Sequence, residues 1–153
     1  MKLDQIDRKI LHYLQENARI TNADLAEKVG LSPTPCLRRL RRLESEDIIK
    51  GYHTEVNREA LGIGVTVVIM IKLEREDEAS LRSFEAEISE RPEVVECFLV
   101  TGKFDYFLRV IIPNLVDYEA FLSETLLRMN NVASVESSFT LRQVTKKNVL
   151  PLP

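Results

Sequence analysis

Cysteine and histidine are scarce in this chain, with two of each among 153 residues. Cys36 and Cys97 lie far apart, in segments that both read as partly buried. They fit reduced packing thiols of a cytoplasmic protein rather than a disulfide framework. His12 and His53 have no second histidine or cysteine at ligand spacing, which argues against metal chemistry and leaves no cofactor to expect. No Gly-rich phosphate loop follows a strand, and no nucleophile stands beside a base, so an enzyme is disfavoured. No apolar run approaches the length of a membrane span. The opening Met1-Lys2-Leu3-Asp4 enters charged, helix-like sequence directly instead of a signal peptide, and a cytoplasmic protein is expected.

What the chain does have is 44% hydrophobic and 29% charged residues, the balance of a soluble globular protein. The formal net charge is -3. It is unevenly spread: residues 1–60 carry 11 basic and 10 acidic side chains, and residues 61–153 carry 10 and 14. The sign of that asymmetry suits a basic head on an acidic body.

Four arginines fall within five positions of Ser32-Pro33-Thr34-Pro35-Cys36-Leu37-Arg38-Arg39-Leu40-Arg41-Arg42-Leu43. Ser32 can cap a helix, and Pro33 suits its first position because the missing N–H has no acceptor there. At 100° per residue Cys36, Leu37, Leu40 and Leu43 share an apolar stripe. Arg38 and Arg42 lie almost opposite it, with Arg39 and Arg41 on its flanks. Guanidinium groups aimed away from buried leucines suit a polyanion, since they grip phosphate bidentately or reach guanine in a major groove. A solvated basic face balanced by Glu44, Glu46 and Asp47 is the alternative.

Upstream, Asp4 caps a helix with Ile6, Ile10, Tyr13 and Leu14 at helical spacing, ending near Asn17. Thr21 opens a second helix, with Asp24 at capping-box distance, and Gly30 stops it. Helix, glycine turn, helix, preceded by a third helix, is the layout of a helix-turn-helix, whose second helix enters the major groove. The candidate DNA contacts are Ser32, Thr34, Pro35, Arg38, Arg39 and Arg42. The run Ile48–Val56 reads as a strand, and residues 57–64 as a connector with glycines at 62 and 64.

The remainder reads strand, helix, strand, strand, helix, strand. The strands are Val65–Leu73, Val94–Thr101, Tyr106–Ile112 and a last one alternating from Val135 to Leu141. The helices are capped by Asp77 or Ser80 and by Asp117. The expected fold is α+β: a three-helix, winged-helix-like unit over residues 1–47, a linker strand and connector over 48–63, and a ferredoxin-like βαββαβ unit over 64–153. Two helices cover one side of such a sheet. Val68, Met70, Phe98, Val100, Phe107 and Ile111 make the second side apolar, so a homodimer through that unit is expected.

In the opening Leu3-Asp4-Gln5-Ile6-Asp7-Arg8-Lys9-Ile10-Leu11, in Asn22 through Leu40, and in the turn Thr101-Gly102-Lys103-Phe104-Asp105-Tyr106, taken together and in this order, the chain resembles the Lrp/AsnC family of feast/famine transcription regulators. The resemblance implies a regulator that binds double-stranded operator DNA, with dimers assembling into octamers or similar particles on the nucleoid. It also implies a small effector, usually an amino acid, bound between subunits near Thr101, Gly102, Lys103, Asp105, Tyr106 and the last strand's Ser134, Val135, Glu136 and Ser137. Asp105 can accept from an ammonium group and Gly102 can expose N–H groups to a carboxylate. As plain turn formers both residues are equally at home. Cys36 beside arginines can act as a redox sensor or as a packing residue. The rival function is a metabolite-binding or assembly module whose N-terminal helices bind protein instead of DNA.

Overall fold

The computed structural model describes residues 2–151. The described residues divide into two compact units, one of residues 2–55 with 144–151 and one of Val56–Gln143.

The first unit holds α1 (Gln5–Glu16), α2 (Asn22–Val29) and α3 (Pro33–Ser45). The Asp4 side chain accepts from the Asp7 N–H, and Asp7 reaches back to the Asp4 N–H, a complete capping box. At α2 only half a box forms. The Thr21 hydroxyl oxygen accepts from the Asp24 N–H at 3.2 Å, but its proton goes to the Asp24 carboxylate at 2.7 Å. Gly30 adopts φ 74°, where a glycine pays no steric penalty, and its N–H donates back to Ala26 and Glu27. Ile10, Leu14, Leu25, Ala26, Val29, Cys36 and Leu43 form the core between the three helices.

The expected strand over Ile48–Val56 is absent. Asp47 takes a left-handed φ of 56°, and the Ile48 and Ile49 N–H groups both turn back to the Leu43 carbonyl, each at 3.0 Å. That reversal closes α3 instead of launching a strand. Among the described residues no strand runs beside the segment, and Tyr52 and Val56 stay exposed. The tail beyond Gln143, expected with the second unit, groups with the first. Glu55 accepts from Lys146 at 2.6 Å and Asn148 at 3.0 Å, and the Leu150 N–H donates to Gln15 at 2.7 Å.

The second unit is a four-stranded antiparallel sheet in the order β2-β3-β1-β4. Its strands are β1 (Val65–Leu73), β2 (Val94–Leu99), β3 (Tyr106–Ile112) and β4 (Val132–Phe139). With α4 (Glu78–Ser89) after β1 and α5 (Leu115–Ala120) after β3, this is the ferredoxin-like order. The α5 rod continues as a wide turn over Phe121–Thr125 and a tight one over Leu126–Arg128.

Period-two alternation sends Val67, Ile69, Ile71, Tyr106, Leu108, Val110 and Ile112 to one face, where Phe84, Ile88, Phe121 and Leu126 bury them. Three boundaries differ from expectation. Asn114, not Asp117, caps α5, because its side chain accepts from both the Val116 and Asp117 N–H groups. Strand β2 stops at Leu99, because the Val100 N–H closes the turn onto the Asp105 carbonyl at 2.8 Å. Strand β4 stops at Phe139, one residue before the last bond to β1, from Thr140 N–H to the Thr66 carbonyl, and leaves Leu141 99% exposed.

The other face carries Val68 and Met70 from β1, Phe107 and Ile111 from β3, and Phe98 from the edge strand β2. Phe98 is 51% exposed and its ring centroid lies 6.0 Å from that of Phe107.

Candidate nucleic-acid interface and effector turn

Helix α3 is held from behind and open at its tip. Cys36 and Leu43 are fully buried beneath it. Cys36 packs in the three-helix core, out of reach of an oxidant in solution, and burial pushes its thiol up, both in keeping with the packing role. The Asn22 side chain donates to the Pro33 carbonyl at 2.9 Å, tying the start of α2 to the start of α3. Ser32 is the cap residue by backbone conformation, yet its side chain makes no cap bond. Pro33 and Pro35 remove two of the N–H groups that a helix start usually offers an anion. The donors left at this tip are the Thr34 N–H and two hydroxyls: Ser32 and Thr34 are both exposed.

The arginines divide into two pairs. Arg38 and Arg41 are exposed, and neither enters an ion pair among the described residues. Arg39 and Arg42, both expected to contact DNA, are instead turned onto the start of α1. Arg39 Nη1 lies 2.6 Å from Asp4 Oδ2 and 2.8 Å from Asp7 Oδ1. Arg42 Nη2 donates to both oxygens of Asp7, each at 2.7 Å. Asp7 is 1% exposed. The Asp7 N–H and the Arg39 guanidinium hold the Asp4 carboxyl down at about 2, and the two carboxylates push Arg39 up. Helical periodicity places Arg42 opposite the apolar stripe of its own helix. It does not show that a neighbouring helix brings a buried carboxylate to that side. The one local signal was Asp4-x-x-Asp7, two carboxylates in a single helical turn.

In the second unit the turn after β2 is built on Gly102, at φ 121°, and on Asp105. Asp105 is buried, and it accepts from the Leu73 N–H at 2.7 Å through Oδ2 and from Lys72 Nζ at 2.9 Å through Oδ1. Burial opposes its ionisation, but those two donors outweigh it and hold the carboxyl below its ordinary value. Asp105 therefore pins the turn to the end of β1 and is not the open acceptor expected for an ammonium group. Tyr106 points into the core at 1% exposure, its hydroxyl donating to Glu85 at 2.9 Å.

Cross-strand register divides the β4 candidates in the same way. Val135 and Ser137 lie opposite Ile71 and Ile69, on the helix-covered face, while Ser134 and Glu136 lie opposite Lys72 and Met70, on the other. Lys103 Nζ reaches Glu136 at 3.6 Å, so the turn and β4 meet there. Thr101, Gly102, Lys103, Ser134 and Glu136 are all exposed. Lys72, not anticipated from sequence, sits beside them between Glu76 at 2.5 Å and Asp105.

A three-helix head with an open recognition helix, followed by a sheet unit with an exposed polar turn, defines a DNA-binding regulator with a small-ligand domain. Residues 3–50 match a winged helix-turn-helix DNA-binding family and residues 66–150 match the Lrp/AsnC ligand binding domain. The Bkd operon transcriptional regulator of Pseudomonas aeruginosa is 43% identical over 151 residues, covering 99% of both chains. The leucine-responsive regulatory protein of Rhizobium meliloti is 41% identical over 144 residues, covering 94% of this chain and 92% of that one. The crystal structure of a Neisseria meningitidis transcriptional regulator in complex with L-methionine superposes with a TM-score of 0.93 at 37% identity, covering 98% of this chain and 97% of that one. The chain belongs to the Lrp/AsnC family of transcription regulators. Among the described residues no helix is long and apolar enough to cross a membrane.

Proposed function

We propose that this regulator reads operator DNA with the exposed edge of α3 and senses an amino acid at the turn following β2. The carrying observation is that Ser32, Thr34, Arg38 and Arg41 are exposed and uncommitted along a helix buried on its other side. Ser32 and Thr34 meet base edges or phosphates, Pro35 sets the close approach of the tip, and the two arginines grip the backbone. Arg41 thus replaces Arg39 and Arg42 in the contact set.

At the effector turn the zwitterion is met by N–H groups around Gly102 and the Lys103 or Lys72 ammonium on its carboxylate side. Glu136 takes the ammonium, in place of Asp105. The relative bound to L-methionine supports an amino acid as the ligand class. The apolar sheet face of Val68, Met70, Phe98, Phe107 and Ile111 is covered by a second copy, and such dimers assemble further to an octamer on cytoplasmic, nucleoid DNA.

The test is DNA affinity measured by fluorescence anisotropy in the presence of each of the twenty amino acids. At least one should shift affinity or complex size, and Glu136→Gln should abolish that response while leaving DNA binding intact. A full set of amino acids without effect, on protein that binds DNA, would remove the sensing role.

A further inference from the structure

We propose that Asp4 and Asp7 form a charge clamp that withholds Arg39 and Arg42 from DNA, so that α3 binds selectively rather than as a bare polycation. The proposal rests on the reading that α3 faces DNA.

The recognition helix carries Arg38, Arg39, Arg41 and Arg42. Any guanidinium free on that helix can take a phosphate, and phosphate contacts carry no sequence information. Each phosphate neutralised adds about 0.9 to the slope of log affinity against log salt. At 0.1 M salt that amounts to roughly eightfold in affinity for any duplex. Two more such contacts per head would raise binding to random DNA as much as to the operator.

Each carboxylate of the clamp is anchored by the other residue's backbone. Asp4 Oδ1 is held by the Asp7 N–H at 2.8 Å and Asp7 Oδ2 by the Asp4 N–H at 3.2 Å. The same two carboxylates that cap α1 are therefore the ones that hold the arginines. Asp7 lies almost wholly out of solvent, whereas the Arg39 and Arg42 side chains remain 25% and 42% exposed. Released, both arginines are already at the surface of α3 and need only new torsions to extend from it. The pairing also ties the rotation of α3 to α1, because the bonds to Arg39 and Arg42 span one helical turn of α3. Asp4 and Asp7 are thus positioning residues that act through the arginines.

Asp7→Asn and Asp4→Asn test this, because asparagine keeps an acceptor oxygen for the capping box and removes the charge. Affinity for operator and for random duplex is measured across a salt series, alongside the thermal midpoint. The clamp predicts a salt slope steeper by about 0.9 for each released arginine that finds a phosphate. It further predicts tighter binding to random DNA and a smaller operator-to-random ratio. A slope and ratio equal to wild type, or a uniform loss on both DNAs without steepening, would overturn it and leave a purely structural brace. Should Asp7→Asn fail to fold, Asp4→Asn, which removes one of the two carboxylates on Arg39 and leaves it Asp7 Oδ1 at 2.8 Å, carries the same test in the same direction with a smaller steepening of the slope. Arg38→Ala serves as the separate control. If it binds both DNAs like wild type, the placement of α3 on DNA is wrong, whatever the aspartate variants do.

Discussion

Asp105→Ala should unsettle the second unit rather than merely empty a ligand site. The substitution leaves the Leu73 N–H, which sits in a buried part of the sheet, without its acceptor at 2.7 Å. A hydrogen bond to a charged group contributes about 1.5–3 kcal/mol, and orphaning a buried donor costs a similar amount. The Lys72 ammonium keeps Glu76 and faces solvent, so the loss of its second partner adds little. The expected loss is about 2–3 kcal/mol at neutral pH, a fall of roughly 1–2 M in the urea midpoint. Asp105→Asn retains an oxygen for the Leu73 N–H and should lose less than about 1 kcal/mol.

The acid response carries a sign. The folded Asp105 titrates below its ordinary value of 3.8, so the folded state binds that proton less readily than the unfolded state does. Its contribution is complete above pH 5 or so and drains away as pH falls through 3.8 and then through the lower folded value. The gap between wild type and Asp105→Asn should therefore narrow in acid. Urea unfolding followed by circular dichroism at pH 7 and pH 3 measures all three proteins. Asp105→Ala within about 0.5 kcal/mol of wild type, or no milder loss in Asp105→Asn, would refute the pinning role.

Gly30→Ala should cost about 1–2 kcal/mol through backbone strain alone, since φ is 74° and an added Cβ meets nothing within 4 Å; a thermal melt with no change would contradict the left-handed cap. Of the two thiols, Cys97 is exposed and Cys36 buried. A thiol reagent should consume one equivalent quickly and the second only on unfolding, and rapid reaction of both would show that α3 is not seated on its core.

Much of the fold was legible because its signals are local. Asp4, Thr21, Gly30 and Asp77 mark helix ends through chemistry confined to one turn. The alternation of Val67, Ile69 and Ile71 marks a strand through its own period. The site was less legible because its partners are distant along the chain. Arg39 and Arg42 look free until α1 is packed against α3, and Asp105 looks open until Leu73 lies beside it. Ile48–Val56 has the composition of a strand, but a strand needs a neighbour to take its hydrogen bonds, and composition does not supply one. Asn114 outcompeted Asp117 because both of the first free N–H groups of α5 fall within reach of its side chain.

The placement of α3 on DNA is tested most directly by the salt dependence of operator binding in the double variant Arg38→Ala/Arg41→Ala. Loss of two phosphate contacts per head should flatten the slope of log affinity against log salt by about 1.8 for each head engaged, with the protein still folded. A slope indistinguishable from wild type would mean that DNA lies elsewhere on the protein.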